Sequence, residues 1–218
     1  MKKLESSLTN MVTVLVAVAV ITAGLLAWVN QITAEPIRLQ DELALANGIK
    51  SVMGLDELTV SANDTLVKTI DGKDYTFIVH KVNNSKGEFV GAAVESLTMG
   101  FGGELKVLVG FDTQGKVSGY TLLQHAETPG LGAKADRWFQ RGGKGDIIGH
   151  DMKNDGGLQV SKDGGKVDAI TASTITSRAF LKAVNQAYSV YADQNVDAHS
   201  GATPVKEKNA EEDNNQHD

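Results

Sequence analysis

Residues 168–177 read Asp-Ala-Ile-Thr-Ala-Ser-Thr-Ile-Thr-Ser, five hydroxyl side chains between one acid and a helix-like stretch at 178–194. Hydroxyls beside a helix start point to phosphate handling, because free backbone N–H groups and the helix dipole both favour an anion there. A threonine hydroxyl in such a place can hydrogen-bond a phosphate, and it can also be esterified to one.

Two glycine-containing clusters lie upstream. Met99-Gly100-Phe101-Gly102-Gly103 falls between two strand candidates. It reads either as a tight connection needing positive φ or as backbone bared for a flat or phosphorylated ligand. The second cluster is His125-Ala126-Glu127-Thr128-Pro129-Gly130-Leu131-Gly132. Pro129-Gly130 fits the central pair of a type II turn, with an imidazole, a carboxylate and a hydroxyl around it. The bland alternative is a rigid surface turn with polar flanks. His125 offers a general base or a metal ligand, but no second His or Cys stands at ligand spacing.

The elements that must position these residues follow from periodicity. The clearest soluble helix is 177–193, with Ala179, Phe180, Ala183, Val184, Ala187, Tyr188 and Tyr191 along one side. Alternation over 64–81 predicts strands around a turn at Asp71-Gly72, and 89–97, 104–111 and 116–124 are further strands. Asp112-Thr113-Gln114-Gly115 is a turn. The Gly-rich stretch 130–149 is irregular with a short helix around 133–140, and 167–172 is a brief strand. The fold class expected is α+β: one domain with antiparallel strands and a C-terminal helix. From about residue 195 the pattern fades, and 195–218 reads as a disordered polar tail.

Before the domain, residues 6–34 carry no charged side chain and 11–29 are almost wholly apolar. A span needs about 20 such residues. Lys2 and Lys3 precede it, and Glu35, Arg38, Asp41 and Glu42 follow it. The basic end belongs in the cytoplasm, which puts the rest outside. A cleaved signal peptide would have a shorter apolar region of roughly 7–15 residues ending in a small-x-small site, and Ile32-Thr33-Ala34 is a poor one. The organisation expected is a cytoplasmic N-terminus (1–10), a transmembrane helix (11–34) left at Glu35-Pro36, a short helix (39–53) ending at Gly54 within a domain at 35–194, and the tail. The chain has no cysteine, which excludes disulfides and any iron–sulfur cluster held by its own thiolates. A net charge of −6 without a basic stripe argues against nucleic acid.

Taken together, the anchor, Gly100-Phe101-Gly102-Gly103, Glu127-Thr128-Pro129-Gly130-Leu131-Gly132 and the hydroxyl run at 168–176 resemble the FMN-binding subunits of two bacterial respiratory complexes. These are the G subunit of the Rnf electron transport complex and the C subunit of the sodium-translocating NADH:quinone reductase. The resemblance covers roughly residues 1–193, and the short chain looks more like the Rnf subunit. It implies a periplasmic domain on a bacterial inner-membrane anchor, with FMN joined by a phosphoester bond to a threonine. The family motif has the form Asp-x-x-Ser/Thr-Gly-Ala-Thr-x-Ser/Thr, and a separate flavin transferase using FAD and magnesium installs the group. By position, Asp168 is the motif acid, Thr171 the first hydroxyl, Thr174 the esterified threonine and Thr176 the trailing hydroxyl. Ala172 stands where the family has Gly, and Ser173 where it has Ala. A second match at 197–203 would put Thr203 in the esterified place, but Pro204-Val205 follow it and no amphipathic helix does.

The function this implies is an electron carrier whose covalent FMN relays electrons within an ion-translocating complex. Its partners would be the other membrane and iron–sulfur subunits, the transferase and the lipid bilayer. The flavin ring is expected against Glu127, Thr128, Gly130, Leu131 and Gly132, near Gly102, with Ser173 beside the phosphate. A single span without a charge offers no ion path of its own. The competing readings are a component like the reductase C subunit, a non-covalent FMN-binding sensor or assembly module, and a hydrolase using His125 and Glu127.

Overall fold

The computed structural model describes residues 8–70 and 72–200, with side chains through 193. Five strands follow one another in space as in sequence: β1 (Leu58–Ile70), β2 (Lys73–Asn84), β3 (Phe89–Met99), β4 (Glu104–Asp112) and β5 (Val117–His125). Every neighbouring pair is antiparallel, in the order β1-β2-β3-β4-β5. Short hairpins force this meander. Ile70 pairs with Lys73 and Gly72 has φ +73, while Asp71, expected beside it in the turn, lies outside the described residues. At the β4–β5 turn, the Gly115 N–H donates to the Asp112 carbonyl at 3.0 Å, with φ +83 at the glycine.

Two helices cover the two faces of the sheet. The first, α1 (Leu8–Met53), is 46 residues long and contains Pro36. Among the described residues it is the one helix long and apolar enough to cross a membrane, which fits a single-pass anchor. Its length of about 70 Å is roughly twice the hydrocarbon thickness of a bilayer. The separate short helix expected at 39–53 is therefore the continuation of the apolar helix, and Glu35-Pro36 does not end it. A proline deletes one N–H bond and crowds one carbonyl. Arg38 pairs with Glu35 across the proline and with Glu42, and the far end of the helix is docked on the sheet.

That docked end buries Ile49 and Val52 against Val82, Ala93 and Leu108. The close approach depends on missing side chains in the sheet. Gly110 and Gly119 are cross-strand partners, and a methyl on either would sit 2.7 Å from the Val52 carbonyl oxygen. Gly48 on the helix side leaves the same room, since a methyl there would lie 3.1 Å from Leu108 Cδ2. The domain is thus continuous with its anchor through a packed helix.

The opposite face carries the main core beneath α3 (Thr174–Ser200). Phe180, Val184, Ala187 and Tyr191 of α3 meet Val94, Leu105, Val107, Val109 and Phe111 of the sheet. Phe139 stacks on Phe180 with ring centres 4.3 Å apart, and Tyr120 meets Phe180 edge-on. Helix α3 starts three residues earlier than the periodicity predicts and runs to Ser200. The expected tail therefore begins as helix, and residues 201–218, Thr203 among them, lie outside the described residues. The expected strand at 167–172 reduces to one parallel bridge, Val160 to Val167. Its remaining backbone turns instead into α3.

Candidate functional site

The start of α3 is built by a turn of unusual backbone. Ser173 N–H donates to the Ile170 carbonyl at 3.0 Å, and Ala172 between them has φ +61. A closed four-residue turn with positive φ at its third residue is the type II geometry, which favours glycine there. An alanine held in that region costs about 1–2 kcal/mol. Ser177 locks the turn from inside the helix: its buried Oγ donates to the Ser173 carbonyl and accepts the Ile170 N–H, both at 2.9 Å. Thr174, Ile175 and Thr176 then open the helix, where the first N–H groups have no carbonyl one turn back.

Glu127 ties this helix start to the β3–β4 loop. Its Oε2 accepts the Thr176 hydroxyl at 2.8 Å, and its Oε1 accepts the Phe101 N–H at 2.8 Å and the Gly102 N–H at 3.4 Å. The carboxylate is 6% exposed and Thr176 is wholly buried. Glycines make the contact close. A methyl at 100 would run into Glu127 Oε1, one at 102 into the Ala126 carbonyl, and one at 132 into Glu127 Oε2 while lying 2.7 Å from Thr176 Oγ1. The turn after Glu127 has the expected form. Leu131 N–H donates to the Thr128 carbonyl at 3.1 Å, and Gly130 has φ +76. A 3₁₀ turn (Gly132–Lys134) and α2 (Ala135–Trp138) then lead away, pinned where the Tyr120 hydroxyl donates to the Ala135 carbonyl at 2.6 Å.

These three segments enclose a cavity of about 380 Å³ lined by Glu127, Thr128, Leu131, Gly132 and residues 172–176, with Phe101 at its edge. Phe101, Leu131 and Ile175 are exposed there, so the pocket offers apolar surface on one side and hydroxyls with free N–H groups on the other. The residues expected to act together are thus largely gathered. Glu127, Thr128, Leu131, Gly132, Ser173, Thr174 and Thr176 line one cavity, while Gly102 and Gly130 shape its walls without lining it. Asp168 and Thr171 are not part of the lining. The Asp168 side chain accepts the Ser161 hydroxyl at 3.1 Å and its carbonyl accepts Trp138 Nε1–H at 2.7 Å, so the motif acid braces the loop. Thr171 is exposed on the turn. His125 accepts the Glu127 N–H through Nδ1 at 3.3 Å and does not face the cavity lining. With the Glu127 carboxylate committed to three donors, the pair lacks the arrangement a hydrolase needs.

Sequence reasoning missed Lys162, whose Nζ donates to Thr174 Oγ1 at 3.2 Å. It also missed the Phe101 and Ile175 side chains as the apolar lip. No local pattern marks Lys162, and the glycine and hydroxyl runs that hold Phe101 and Ile175 do not mark those side chains as a lip, since each matters only through what the fold lays beside it.

The cavity thus sets a helix start suited to an anion against an apolar cleft, and the chain carries an FMN-binding domain. The family model of the FMN-binding domain covers residues 100–189, the segment that holds every wall of the cavity. That of the RnfG N-terminal region covers residues 1–52, a range that takes in nearly all of α1. The G subunit of the ion-translocating oxidoreductase complex of Shewanella baltica (strain OS223) is 36% identical over 178 residues, 78% of this chain and 82% of that protein. The protein of the same description from Vibrio parahaemolyticus (serotype O3:K6, strain RIMD 2210633) is 35% identical over 170 residues, 75% and 79% of the two chains. The chain belongs to this family, the G subunits of ion-translocating oxidoreductase complexes.

Proposed function

We propose that the protein is the flavin-carrying subunit of a membrane electron-transport complex, with FMN esterified through its phosphate to Thr174. The observation that carries this reading is the position of Thr174, a half-buried hydroxyl on the first turn of α3 at the wall of the cavity. An anion there meets free N–H groups and the positive end of the helix dipole. The residues present fit FMN: hydroxyls and N–H groups for the phosphate, and Phe101, Leu131 and Ile175 as apolar surface for a flat ring. When bound, FMN supplies one- or two-electron transfer at a potential the protein tunes. The chain's own part is to hold the phosphate at Thr174, support the ring edge with the turn at 128–132, and keep both on a rigid frame through Glu127.

The charge asymmetry about the apolar run supports the following geography. Residues 1–10 stay in the cytoplasm, the span lies within 11–34, and the domain from 35 onward faces the periplasm of a bacterial inner membrane. There a covalent tie keeps a cofactor that could not easily be replaced. Electrons would pass to and from membrane and iron–sulfur subunits docked nearby, and a flavin transferase using FAD and magnesium would load the site. Alkaline phosphatase fused after the domain should be active. An inactive fusion, with a cytoplasmic reporter active instead, reverses the topology.

The deciding experiment is mass and fluorescence of the denatured chain. Co-expressed with its transferase, the protein should show in-gel flavin fluorescence after SDS and one FMN mass increment. Thr174→Val should remove both, and Thr203→Val neither. Flavin that is lost on denaturation would instead mark a non-covalent FMN module. Peptide mapping that puts FMN on Ser173, Thr176 or Thr203 refutes the assignment.

A further inference from the structure

We propose that Lys162 is the charge partner of the esterified hydroxyl: its ammonium assists formation of the Thr174 phosphoester and afterwards holds the phosphodiester. The inference rests on the reading of Thr174 as the attachment point.

Lys162 lies 12 residues before Thr174 on an exposed 3₁₀ turn (Ser161–Asp163), yet its Nζ reaches Thr174 Oγ1 at 3.2 Å. A free surface lysine carries about 2 kcal/mol of rotamer entropy, so the backbone that bears it must be well placed. It is fastened on both sides. Asp163 is gripped by Arg178 of α3 through Nε at 2.7 Å and Nη2 at 2.6 Å, and this bond holds the Asp163 carboxyl below its ordinary range. Arg178 lies one helical turn beyond Thr174. On the other side, Ser161 N–H donates to the Val167 carbonyl at 2.8 Å and the Ser161 hydroxyl to Asp168 Oδ1 at 3.1 Å. Gly164 closes the turn with φ +87. The motif acid therefore acts on the attachment site through Ser161 and the turn that carries Lys162. Neighbouring cations are already committed, Arg178 to Asp163 and Lys144 to the face of Trp138.

The chemistry needs a cation at this oxygen. Loading from FAD forms the Thr174 Oγ1–P bond and breaks the P–O bond of the pyrophosphate. AMP leaves, the hydroxyl proton passes to a base on the transferase or to water, and no electrons change hands. Loss of the hydroxyl proton leaves negative charge on Oγ1, which passes to the phosphoryl and leaving-group oxygens as the bond to phosphorus forms, and one unit stays on the diester. An ammonium 3.2 Å from Oγ1 favours loss of the hydroxyl proton and stands beside the phosphoryl oxygens on which the charge then collects, and such placed donors are worth far more in the transition state than in the ground state. The N–H groups of α3 supply a dipole but no full charge.

The test uses the full chain, made without transferase and then incubated with transferase, FAD and magnesium, with flavin incorporation followed by intact mass. Lys162→Gln should load roughly tenfold or more slowly than the parent, which corresponds to about 1.4 kcal/mol, while Lys162→Arg should load within about threefold because it keeps the charge. The phosphorus-31 resonance of the loaded diester should move in Lys162→Gln and stay in Lys162→Arg. Thermal midpoints of the unloaded variants should match the parent, since Lys162 is exposed. Thr174→Val separates the two readings. If it loads normally, the attachment assignment fails and this inference with it. If Thr174→Val does not load while Lys162→Gln matches the parent in rate and resonance, the role of Lys162 alone is overturned. Equal slowing in Lys162→Gln and Lys162→Arg also overturns it, since the side chain would then matter for shape and not for charge.

Discussion

Glu127 Oε2 accepts the Thr176 hydroxyl at 2.8 Å across 49 residues of chain, and both groups are buried. This one bond joins the Pro129-Gly130 turn to the helix that presents Thr174. Through Oε1 the same carboxylate also reaches the Gly100–Gly103 loop. The glutamate that reads in sequence as a ligand contact or a base is the strut of the cavity.

Glu127→Gln keeps the size and swaps one acceptor for a donor. Either Thr176 or the Phe101 N–H then faces an NH₂ group and loses its acceptor. A buried polar group left unpaired costs about 1–3 kcal/mol, so the unfolding free energy should fall by that much and the denaturant midpoint should fall with it. Flavin loading should slow because Thr174 shifts with its helix start. An unchanged midpoint would mean that the carboxylate does not brace the site.

Two glycines of the same turn should fail for different reasons. Gly132→Ala drives a methyl into Glu127 Oε2 and toward Thr176 Oγ1, an overpacking expected to cost about 1–3 kcal/mol and to disturb the flavin spectrum. Gly130→Ala meets nothing within 4 Å but must hold φ +76, a cost of about 1–2 kcal/mol. Crystal structures of the two variants would show the difference: the strut broken in the first and intact in the second.

Ala172→Gly should stabilise the protein. The alanine sits at φ +61, and relief of about 1–2 kcal/mol of strain exceeds the 0.5–1 kcal/mol, roughly, of extra unfolded-chain freedom that glycine brings. A gain of up to about 1 kcal/mol should appear in thermal unfolding, with loading by the transferase at least as fast. A loss of stability would show that the αL turn is not strained.

The α1 face of the sheet holds a buried charge relay that should set acid stability. Glu95 Oε1 lies 2.8 Å from His80 Nε2, Glu95 Oε2 lies 2.6 Å from Lys106 Nζ, and His80 Nδ1 lies 2.8 Å from Asn63 Oδ1. Burial pushes the Glu95 carboxyl up, but the bonds from His80 and Lys106 outweigh it and leave the group below its ordinary value. A carboxylate with a depressed folded pKa stabilises the fold above its unfolded value, about 4.3, and that contribution is lost as pH falls toward the folded value. Unfolding free energy should therefore drop as pH is lowered from about 5 toward 3. In Lys106→Met the drop should be smaller, because the folded pKa of Glu95 then lies closer to the unfolded one. Identical acid profiles for Lys106→Met and the parent would remove the relay from the account.

Much of this protein is legible in its residues. Four of the expected strand segments and their turns hold because alternation and Asp/Gly turn chemistry are local properties, as at Asp112–Gly115 and Pro129-Gly130. The apolar run before Pro36 and the Tyr/Phe/Ala stripe of α3 are likewise visible. The hydroxyl motif is visible because each hydroxyl comes from one short run. Boundaries fared worse. Pro36 reads as a stop, but Ile49 and Val52 are buried on Gly110 and Gly119, and that distant packing holds the helix unbroken. Residues 167–172 look like a strand, yet only Val167 makes bridge bonds, to Gln159 and Ser161, and the Ile170 backbone bonds to the Ser177 hydroxyl and the Ser173 N–H.

By itself, then, the sequence determined the family, the anchor, the antiparallel meander and the threonine run, since all of these depend on residue type and near-neighbour spacing. Only the tertiary structure decided what each polar group does. Glu127 braces the cavity, Asp168 props a loop, and Lys162 meets Thr174. Those roles depend on which donors and acceptors are brought within about 3 Å of one another, and the distances are set by the packing of α3 on the sheet, across tens of residues that carry no mark of them.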